Sequence, residues 1–232
     1  MKHTYRHPRP AVSVDCAVFG VRDGTLQVLL VERDVAPFEG QLALPGGFVQ
    51  MDETLDDAAR RELQEEAGVD ITFLQQVRAF SEVDRDPRGR VITVAYYALV
   101  KETDFQPKGG SDARSAAWYP ASDHPPLAFD HRDILRAAHE HLSEQVQRRP
   151  LVFDLLPAKF TLFELQSLYE AILERPLDKR NFRKKVMNDG LLVPLDEHEK
   201  NVKRRPARLY RFDRRKHRAQ RLAADRGVTP RR

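Results

Sequence analysis

Three glutamates, Glu62, Glu65 and Glu66, are the residues whose spacing most directly indicates chemistry. On a helix, positions i, i+3 and i+4 fall on one face, so the three carboxylates are expected to point the same way. Like charges four residues apart destabilise an isolated helix, whereas a hard divalent cation such as Mg²⁺ binds carboxylate oxygens. The spacing therefore predicts a metal-binding face, although a solvated acidic helix face would give the same short pattern.

The residues on either side of the glutamates favour the metal-binding interpretation. Gly46 and Gly47 are expected to form a sharp backbone turn before the helix, and Gly68 is expected to end it. Arg61 lies beside the acidic face and is expected to hold Glu53 of the preceding loop in a bidentate ion pair. These features predict a loop that closes onto the start of a metal-binding helix.

The whole stretch follows the pattern G-x5-E-x7-R-E-U-x-E-E-x-G-U, where U is an aliphatic residue. The fixed positions are all filled, by Gly47, Glu53, Arg61, Glu62, Leu63, Glu65, Glu66, Gly68 and Val69. The pattern resembles the Nudix box, whose family hydrolyses nucleoside diphosphates linked to another moiety with Mg²⁺ or Mn²⁺. The resemblance implies metal ligands at Glu62, Glu65 and Glu66, and a catalytic set of Glu53, Arg61 and Glu65.

Hydrophobic periodicity predicts the elements that position this stretch. Alternating or continuous apolar residues predict strands over 11–21, 26–31, 73–83, 91–100 and 116–119. Thr54 is expected to cap a helix that runs to about Ala67. Residues 84–90 (DRDPRGR) are expected to form an exposed turn, and a helix over 131–147 is expected to pack on the same domain. This order predicts an α/β domain, and the resemblance implies a Nudix α/β/α sandwich.

The chain is long enough for two domains, and its charge divides between two parts. Residues 1–150 hold 18 Lys and Arg against 24 Asp and Glu, whereas residues 151–232 hold 21 against 11. The basic part predicts a polyanionic partner, although much of its excess lies in residues 214–232. A single cysteine, Cys16, and the lack of a long apolar run or an apolar signal core predict a cytoplasmic protein without a membrane span. We expect Cys16 to be a buried hydrophobe.

We predict three parts: a first domain over 1–149, a second over 150–213, and a basic, disordered tail over 214–232. In the second domain, Thr161 and Glu164 form a capping box before an apolar helix. Asp178 is expected to cap a second helix that ends near Asn188, before two strands over 191–194 and 207–212. This order predicts a winged helix-turn-helix, with a small helical dimerisation domain as the alternative.

The second helix would be the recognition helix, because such helices lie in the DNA major groove. Phe182 and Val186 are expected to face inward, so polar and basic side chains occupy the remaining faces. Flanking basic residues of the strand connection would contact phosphates. The predicted DNA-binding residues are Lys179, Arg180, Asn181, Arg183, Lys184, Lys203, Arg204 and Arg205.

Several motifs together extend the resemblance over about Ala11 to Phe212. These motifs are ALPGGFV, RDPRGR before VAYYALV, LAFDH, FTLFELQSLYE, LDKRNFRKK and RPARLYRF. They are similar to motifs of Nudix-related transcriptional regulators of NAD metabolism, which join a Nudix domain to a winged helix. The resemblance implies a homodimer, a palindromic double-stranded DNA operator and a response to ADP-ribose. Many such regulators have a damaged Nudix box, but every fixed position is intact here.

Three functions are therefore consistent with the sequence. The leading hypothesis is a DNA-binding regulator, expected to be a repressor, whose Nudix domain senses ADP-ribose or a related nucleotide. The alternative is a Mg²⁺-dependent pyrophosphohydrolase acting on ADP-ribose-like compounds, and one protein could do both. An enzyme anchored to RNA by its basic tail is a third possibility. The expected ligand-binding residues are Gly46, Gly47, Arg33, Arg78, Arg85 and Arg88.

Overall fold

The chain forms two compact units, residues 1–151 and 152–232. The structure is a computed structural model, which describes residues 6–68, 71, 73–101, 113–200 and 205–225. No helix among these residues is long and apolar enough to cross a membrane.

The described residues of the first unit contain seven strands: β1 (Ala11–Arg22), β2 (Thr25–Arg33), β3 (Leu42–Ala43), β4 (Gly46–Phe48), β5 (Leu74–Phe80), β6 (Val91–Leu99) and β7 (Ala113–Pro120). They form one mixed sheet with the order β3-β2-β1-β6-β5, in which β4 also pairs with β1 and β7 with β2. Strands β1 and β6 are parallel, and the other pairs are antiparallel.

Helices α1 (Leu55–Ala67) and α2 (His131–Arg148) cover opposite faces of this sheet. Successive strand residues point to opposite faces, and two neighbours in β6 show the result. The Tyr96 hydroxyl donates to Asp56 of α1 at 2.7 Å, whereas the Tyr97 ring lies 5.7 Å from the His141 ring of α2. The predicted α/β/α sandwich is confirmed, and Cys16 lies fully buried in the core on the α1 side.

A short 3₁₀ helix (Leu151–Leu155) begins at the last residue of the first unit. The second unit then contains helices α3 (Leu162–Leu173) and α4 (Lys179–Asn188), and a hairpin of β8 (Leu192–His198) and β9 (Arg208–Phe212). Its apolar core includes Phe160, Leu165 and Ile172, each at most 1% exposed. As predicted, Phe182 and Val186 are the buried residues of α4.

A further helix, α5 (Arg214–Asp225), follows the hairpin. The composition of residues 214–232 predicts a disordered tail, so the helical state of 214–225 differs from that expectation. Composition alone misses the local reason: Asp213 caps the helix, because its Oδ1 accepts from the Lys216 N–H at 3.0 Å.

Candidate functional site

Helix α1 begins and ends where the sequence predicts. Thr54 caps its first turn, and the capping box is completed by Asp57. Gly68 has a φ of 69°, a left-handed conformation that glycine adopts without a steric penalty. The buried face of α1 carries Ala58, Ala59 and Leu63, which places the glutamates at the edge of the helix beside β4.

Arg61 connects the acidic residues to one another. Its Nε and one terminal nitrogen donate to the two Glu53 oxygens at 2.9 and 2.6 Å, which is the predicted bidentate pair. The other terminal nitrogen donates to Glu62 at 2.7 Å and to Glu65 at 3.1 Å. The Arg61 hydrogen bonds and a backbone hydrogen bond from Gln50 lower the pKa of Glu53 to about 2. Glu53 therefore stays ionised and holds Arg61 in place.

The three glutamates are not equivalent. Glu62 and Glu66 line one cavity, whereas the Glu65 side chain is half exposed and lies outside its lining. Burial raises the pKa of Glu62, an effect that outweighs its hydrogen bond from Arg61. A Glu66 oxygen accepts from the Gly46 N–H at 2.9 Å. The sequence predicts that the three carboxylates share one helix face, but in the fold Glu62 is buried and Glu65 is exposed.

The carboxylates match a hard divalent cation in ligand type. The carboxylates are not gathered around one point, because the residues that the structure describes contain no group of three acidic, His or Cys side chains that could hold a metal ion. Glu62 and Glu66 already face the same space, and Glu65 lies one helical turn beyond Arg61. Two of the three predicted ligands are therefore positioned together, and the third is held by an arginine hydrogen bond.

Gly46 and Gly47 are required for a reason other than the predicted sharp turn. Both lie in β4, paired with β1, and neither has a positive φ. A Cβ at Gly46 would overlap the backbone of Val14 and Asp15, and a Cβ at Gly47 would overlap the Glu62 carboxylate. The two glycines therefore allow close approach of a strand to its neighbour and to the acidic helix.

The cavity has a volume of about 160 Å³ and lies between β4, α1 and the loops that follow β5 and precede α2. Of the four arginines predicted to bind the ligand, Arg33, Arg85 and Arg88 line it and Arg78 does not. The Arg78 guanidinium instead lies 4.4 Å from the Phe80 ring centroid on β5.

Arg33 and Arg88 lie against aromatic rings of the cavity wall. The Arg88 guanidinium lies 5.0 Å from the Phe48 ring centroid and 5.5 Å from that of Phe129. Arg33 lies 4.9 Å from the Phe129 ring centroid. Two Arg88 nitrogens also donate to the Asp86 carboxylate, at distances of 2.7–3.2 Å. Both cations are thus oriented by neighbours of the cavity.

Arg85 is part of a buried ionic network. Its guanidinium donates to both oxygens of Asp130 at 2.8 and 2.6 Å, and to Asp15 at 3.3 Å. Burial alone would lower the pKa of Arg85, but the hydrogen bonds to Asp130 and the charge of Asp15 raise it overall. The expectation of an exposed turn at 84–90 is wrong for Arg85 and Asp86, which are buried because carboxylates and a guanidinium compensate their charges.

His131 completes the network as a neutral ring. Burial lowers the pKa of His131, so the imidazole is uncharged at neutral pH. Its Nδ1 accepts from the Leu44 N–H at 2.9 Å, which places the proton on Nε2, 3.5 Å from Asp15 Oδ1. The ring therefore links the loop before β4 to the carboxylate under the cavity.

Four residues of this region were missed as site residues: Asp15, Asp86, Asp130 and His131. The motif LAFDH contains two of them, and it contributes to the family resemblance without indicating a role. The signal available for Asp15 was an acidic residue between the apolar residues Val14 and Cys16 of a predicted strand, because buried carboxylates are almost always paired.

The predicted DNA-binding residues that can be placed lie on two elements of the second unit. Lys179, Arg180, Asn181, Arg183 and Lys184 are exposed on α4, and Arg205 is exposed before β9. Asp178 caps α4 by accepting from the Asn181 N–H at 2.8 Å. Lys203 and Arg204 lie outside the described residues, as does Val69 of the box.

Two family models match the chain. The model for the NUDIX domain matches residues 9–138, and the model for the NrtR DNA-binding winged helix domain matches residues 152–212. Helix α5 lies beyond the second match.

Among curated relatives, the ADPR responsive transcriptional repressor NtrR of Acinetobacter baylyi is 39% identical over 210 residues, covering 89% of this chain and 83% of the relative. The ADP-ribose pyrophosphatase of Methanocaldococcus jannaschii is 39% identical over 132 residues, covering 57% of this chain and 73% of the relative.

Among solved structures, Shewanella oneidensis NrtR complexed with a 27mer DNA has a TM-score of 0.76 and 34% identity, covering 87% of this chain and 93% of that one. The NUDIX domain of the same protein complexed with ADP ribose has a TM-score of 0.55 and 34% identity, covering 59% and 90%.

Proposed function

Because this chain belongs to the Nudix-related regulators, in which a Nudix domain precedes an NrtR winged helix domain, we propose that it is an ADP-ribose-responsive transcriptional repressor. The observation that carries the proposal is the presence of both domains in one chain, similar along 87% of its length to an NrtR bound to DNA. A Nudix enzyme has no need of an exposed recognition helix, whereas a regulator needs both parts.

The first unit binds the nucleotide in the cavity bordered by Glu62 and Glu66. Arg33 and Arg88 would contact ligand phosphates, and Gly46 and Gly47 allow the ligand to approach β4 closely. Glu62, Glu65 and Glu66 would hold Mg²⁺ or Mn²⁺. When bound, such an ion offsets pyrophosphate charge and activates water.

The second unit binds duplex DNA through α4. Its exposed basic and amide side chains suit a helix that contacts bases in the major groove. Arg205 would contact the phosphate backbone of the DNA. Dimers of such domains bind palindromic sites, since operator symmetry mirrors protein symmetry. We therefore infer a cytoplasmic homodimer on a palindromic operator in double-stranded DNA.

Electrophoretic mobility shift with DNA from upstream of the protein's own gene, with and without ADP-ribose, tests the proposal. We expect a specific shift that ADP-ribose alters. The matched variants are Arg180→Ala with Lys184→Ala on α4, and Lys159→Ala as an exposed basic control in the same unit. Unchanged sequence preference after the α4 substitutions would contradict the recognition-helix assignment.

The complete Nudix box favours a second candidate function, hydrolysis of ADP-ribose. The similarity to an ADP-ribose pyrophosphatase also supports it. Release of AMP and ribose 5-phosphate in the presence of Mg²⁺, abolished by Glu65→Gln or Glu66→Gln, would establish this activity. Absence of turnover would leave the repressor proposal intact, since a sensor needs only to bind its ligand.

A further inference from the structure

Helix α5 is strongly basic. Of its twelve residues, five are Lys or Arg and one is acidic. Arg214, Arg215, Lys216 and Arg218 are exposed. The winged helix family model ends at residue 212, so the match assigns this helix no role.

The distribution of charged residues along α5 lowers the stability of the helix. Its first turn carries basic residues and no acidic residue, although the positive end of the helix dipole favours negative charge there. Arg214 and Arg218 are four residues apart, and Arg215 and Arg218 three apart, so like charges repel along one side. A helix this short is also marginal in water by itself. Nearby polyanionic charge would relieve each of these effects.

Contacts with the winged helix body hold the first turn of α5 in place. The Lys216 ammonium donates to the Gly190 carbonyl at 2.8 Å, and the Asp213 N–H donates to the Leu191 carbonyl at 2.8 Å. Gly190 and Leu191 form the connection directly after α4. The basic start of α5 is therefore fixed beside the end of the recognition helix, within one compact unit.

The side-chain types favour a phosphate backbone over the other possible partners. Helix α5 contains no Phe, Tyr or Trp, and its His217 ring is half-buried, 5.4 Å from Phe212. Binding of unpaired bases relies on stacking on aromatic side chains, which the sequence of α5 does not provide. The exposed guanidinium groups of Arg214, Arg215 and Arg218 instead suit contacts to phosphates.

We propose that α5 is a second DNA-backbone contact of this protein, which binds phosphates beside the segment that α4 occupies. The inference rests on the proposed function, because it requires that the second unit bind duplex DNA. In this arrangement α4 selects the sequence, and α5 adds affinity without regard to sequence.

Fluorescence anisotropy with the full-length protein tests this inference. Binding is measured to the operator duplex, to a scrambled duplex of equal length, and to a single-stranded RNA, between about 50 and about 200 mM salt. The test variant combines Arg215→Ala with Arg218→Ala. Its conservative counterpart combines Arg215→Lys with Arg218→Lys. The control combines Arg132→Ala with Arg136→Ala, which removes the same charge from exposed positions of α2.

We expect the alanine variant to bind both duplexes more weakly and to keep the ratio between them. The alanine variant loses two phosphate contacts per protomer and four per homodimer, which lowers the salt slope by about 3.6, so wild type should lose roughly a hundredfold more affinity than the variant over this salt range. The lysine variant should keep the wild-type slope, because a phosphate contact needs a charge at that position. The α2 control should also keep it.

Four results would overturn the inference. Normal operator binding with an unchanged slope in the alanine variant would show that α5 lies away from DNA, while the proposed function would stand. An equal loss of DNA affinity in the α2 control would show that the effect depends on net charge and not on the position of α5. A loss confined to the RNA would assign α5 to another partner. If wild type bound no duplex specifically, the proposed function and this inference would both be overturned.

Discussion

Replacing Arg85 with methionine should strongly destabilise the first unit. The Arg85 side chain is 3% exposed, and its partners Asp15 and Asp130 are 9% and 18% exposed. Methionine fills much of the same volume but leaves two carboxylates without their cation. Removing one partner of a buried ion pair costs about 3–5 kcal/mol. That is a large part of the total stability of a typical domain, about 5–15 kcal/mol.

Urea denaturation followed by tryptophan fluorescence measures this loss in the correct unit. The chain has a single tryptophan, Trp118, which packs against the core of the first unit. Its emission therefore reports that unit even when the two units unfold separately. With an m-value of about 2 kcal/mol/M, a loss of about 4 kcal/mol shifts the midpoint by about 2 M.

The matched control is Arg78→Met, which removes the same charge from an exposed side chain. Its contact with the Phe80 ring is worth about 0.5–1 kcal/mol, so its midpoint should shift by less than about 0.5 M. Adding Asp130→Asn to Arg85→Met removes one of the two orphaned charges and should recover part of the loss. If Arg85→Met shifted the midpoint no more than Arg78→Met, the network would not stabilise the fold as argued.

Three further outcomes follow from the site. Gly47→Ala should weaken ADP-ribose binding measured by calorimetry, because its Cβ would displace the Glu62 carboxylate that lines the cavity. The same overpacking should destabilise the first unit by about 1–3 kcal/mol, and unchanged ligand affinity would contradict the role of Glu62 at the cavity. Arg61 lowers the pKa of Glu53 from 4.5 to about 2. The ionised Glu53 therefore contributes to stability above pH 4.5, and this contribution is lost as the pH falls towards 2. The urea midpoints of wild type and Glu53→Gln should therefore converge over that range, and a constant gap would refute the pairing. Burial raises the pKa of Cys16, so a thiol reagent should label it only in denaturant; rapid labelling of the native protein would contradict its burial.

Local patterns in the sequence were sufficient for elements whose cause is local. Thr54 and Asp178 cap the helices that they were expected to cap, and Phe182 and Val186 face the core. Each of these features depends on residues within about one or two helical turns. The Arg61–Glu53 pair likewise spans eight residues.

The buried network was missed because its members are distant in the sequence. Arg85 lies 70 residues from Asp15 and 45 from Asp130, and the His131 contact with Leu44 spans 87 residues. Polar and turn-forming residues at 84–90 indicate an exposed loop, and no local rule identifies carboxylates from other elements that would allow burial. The sequence also suggests a sharp turn as the reason for Gly47, because the steric contact with Glu62 that requires a glycine exists only in the folded chain.

The two units differ in the sign of their net charge, and this difference predicts two separable responses. Residues 1–150 have an excess of six acidic groups, and Arg85 and Arg88 at the cavity are already paired with Asp130 and Asp86. A pyrophosphate in this cavity would therefore need additional positive charge, which a divalent ion would supply. Residues 151–232 have an excess of ten basic groups, and α4 exposes its cations to solvent. Chelation of divalent ions should thus weaken ADP-ribose binding, whereas monovalent salt should weaken DNA binding far more steeply than ligand binding.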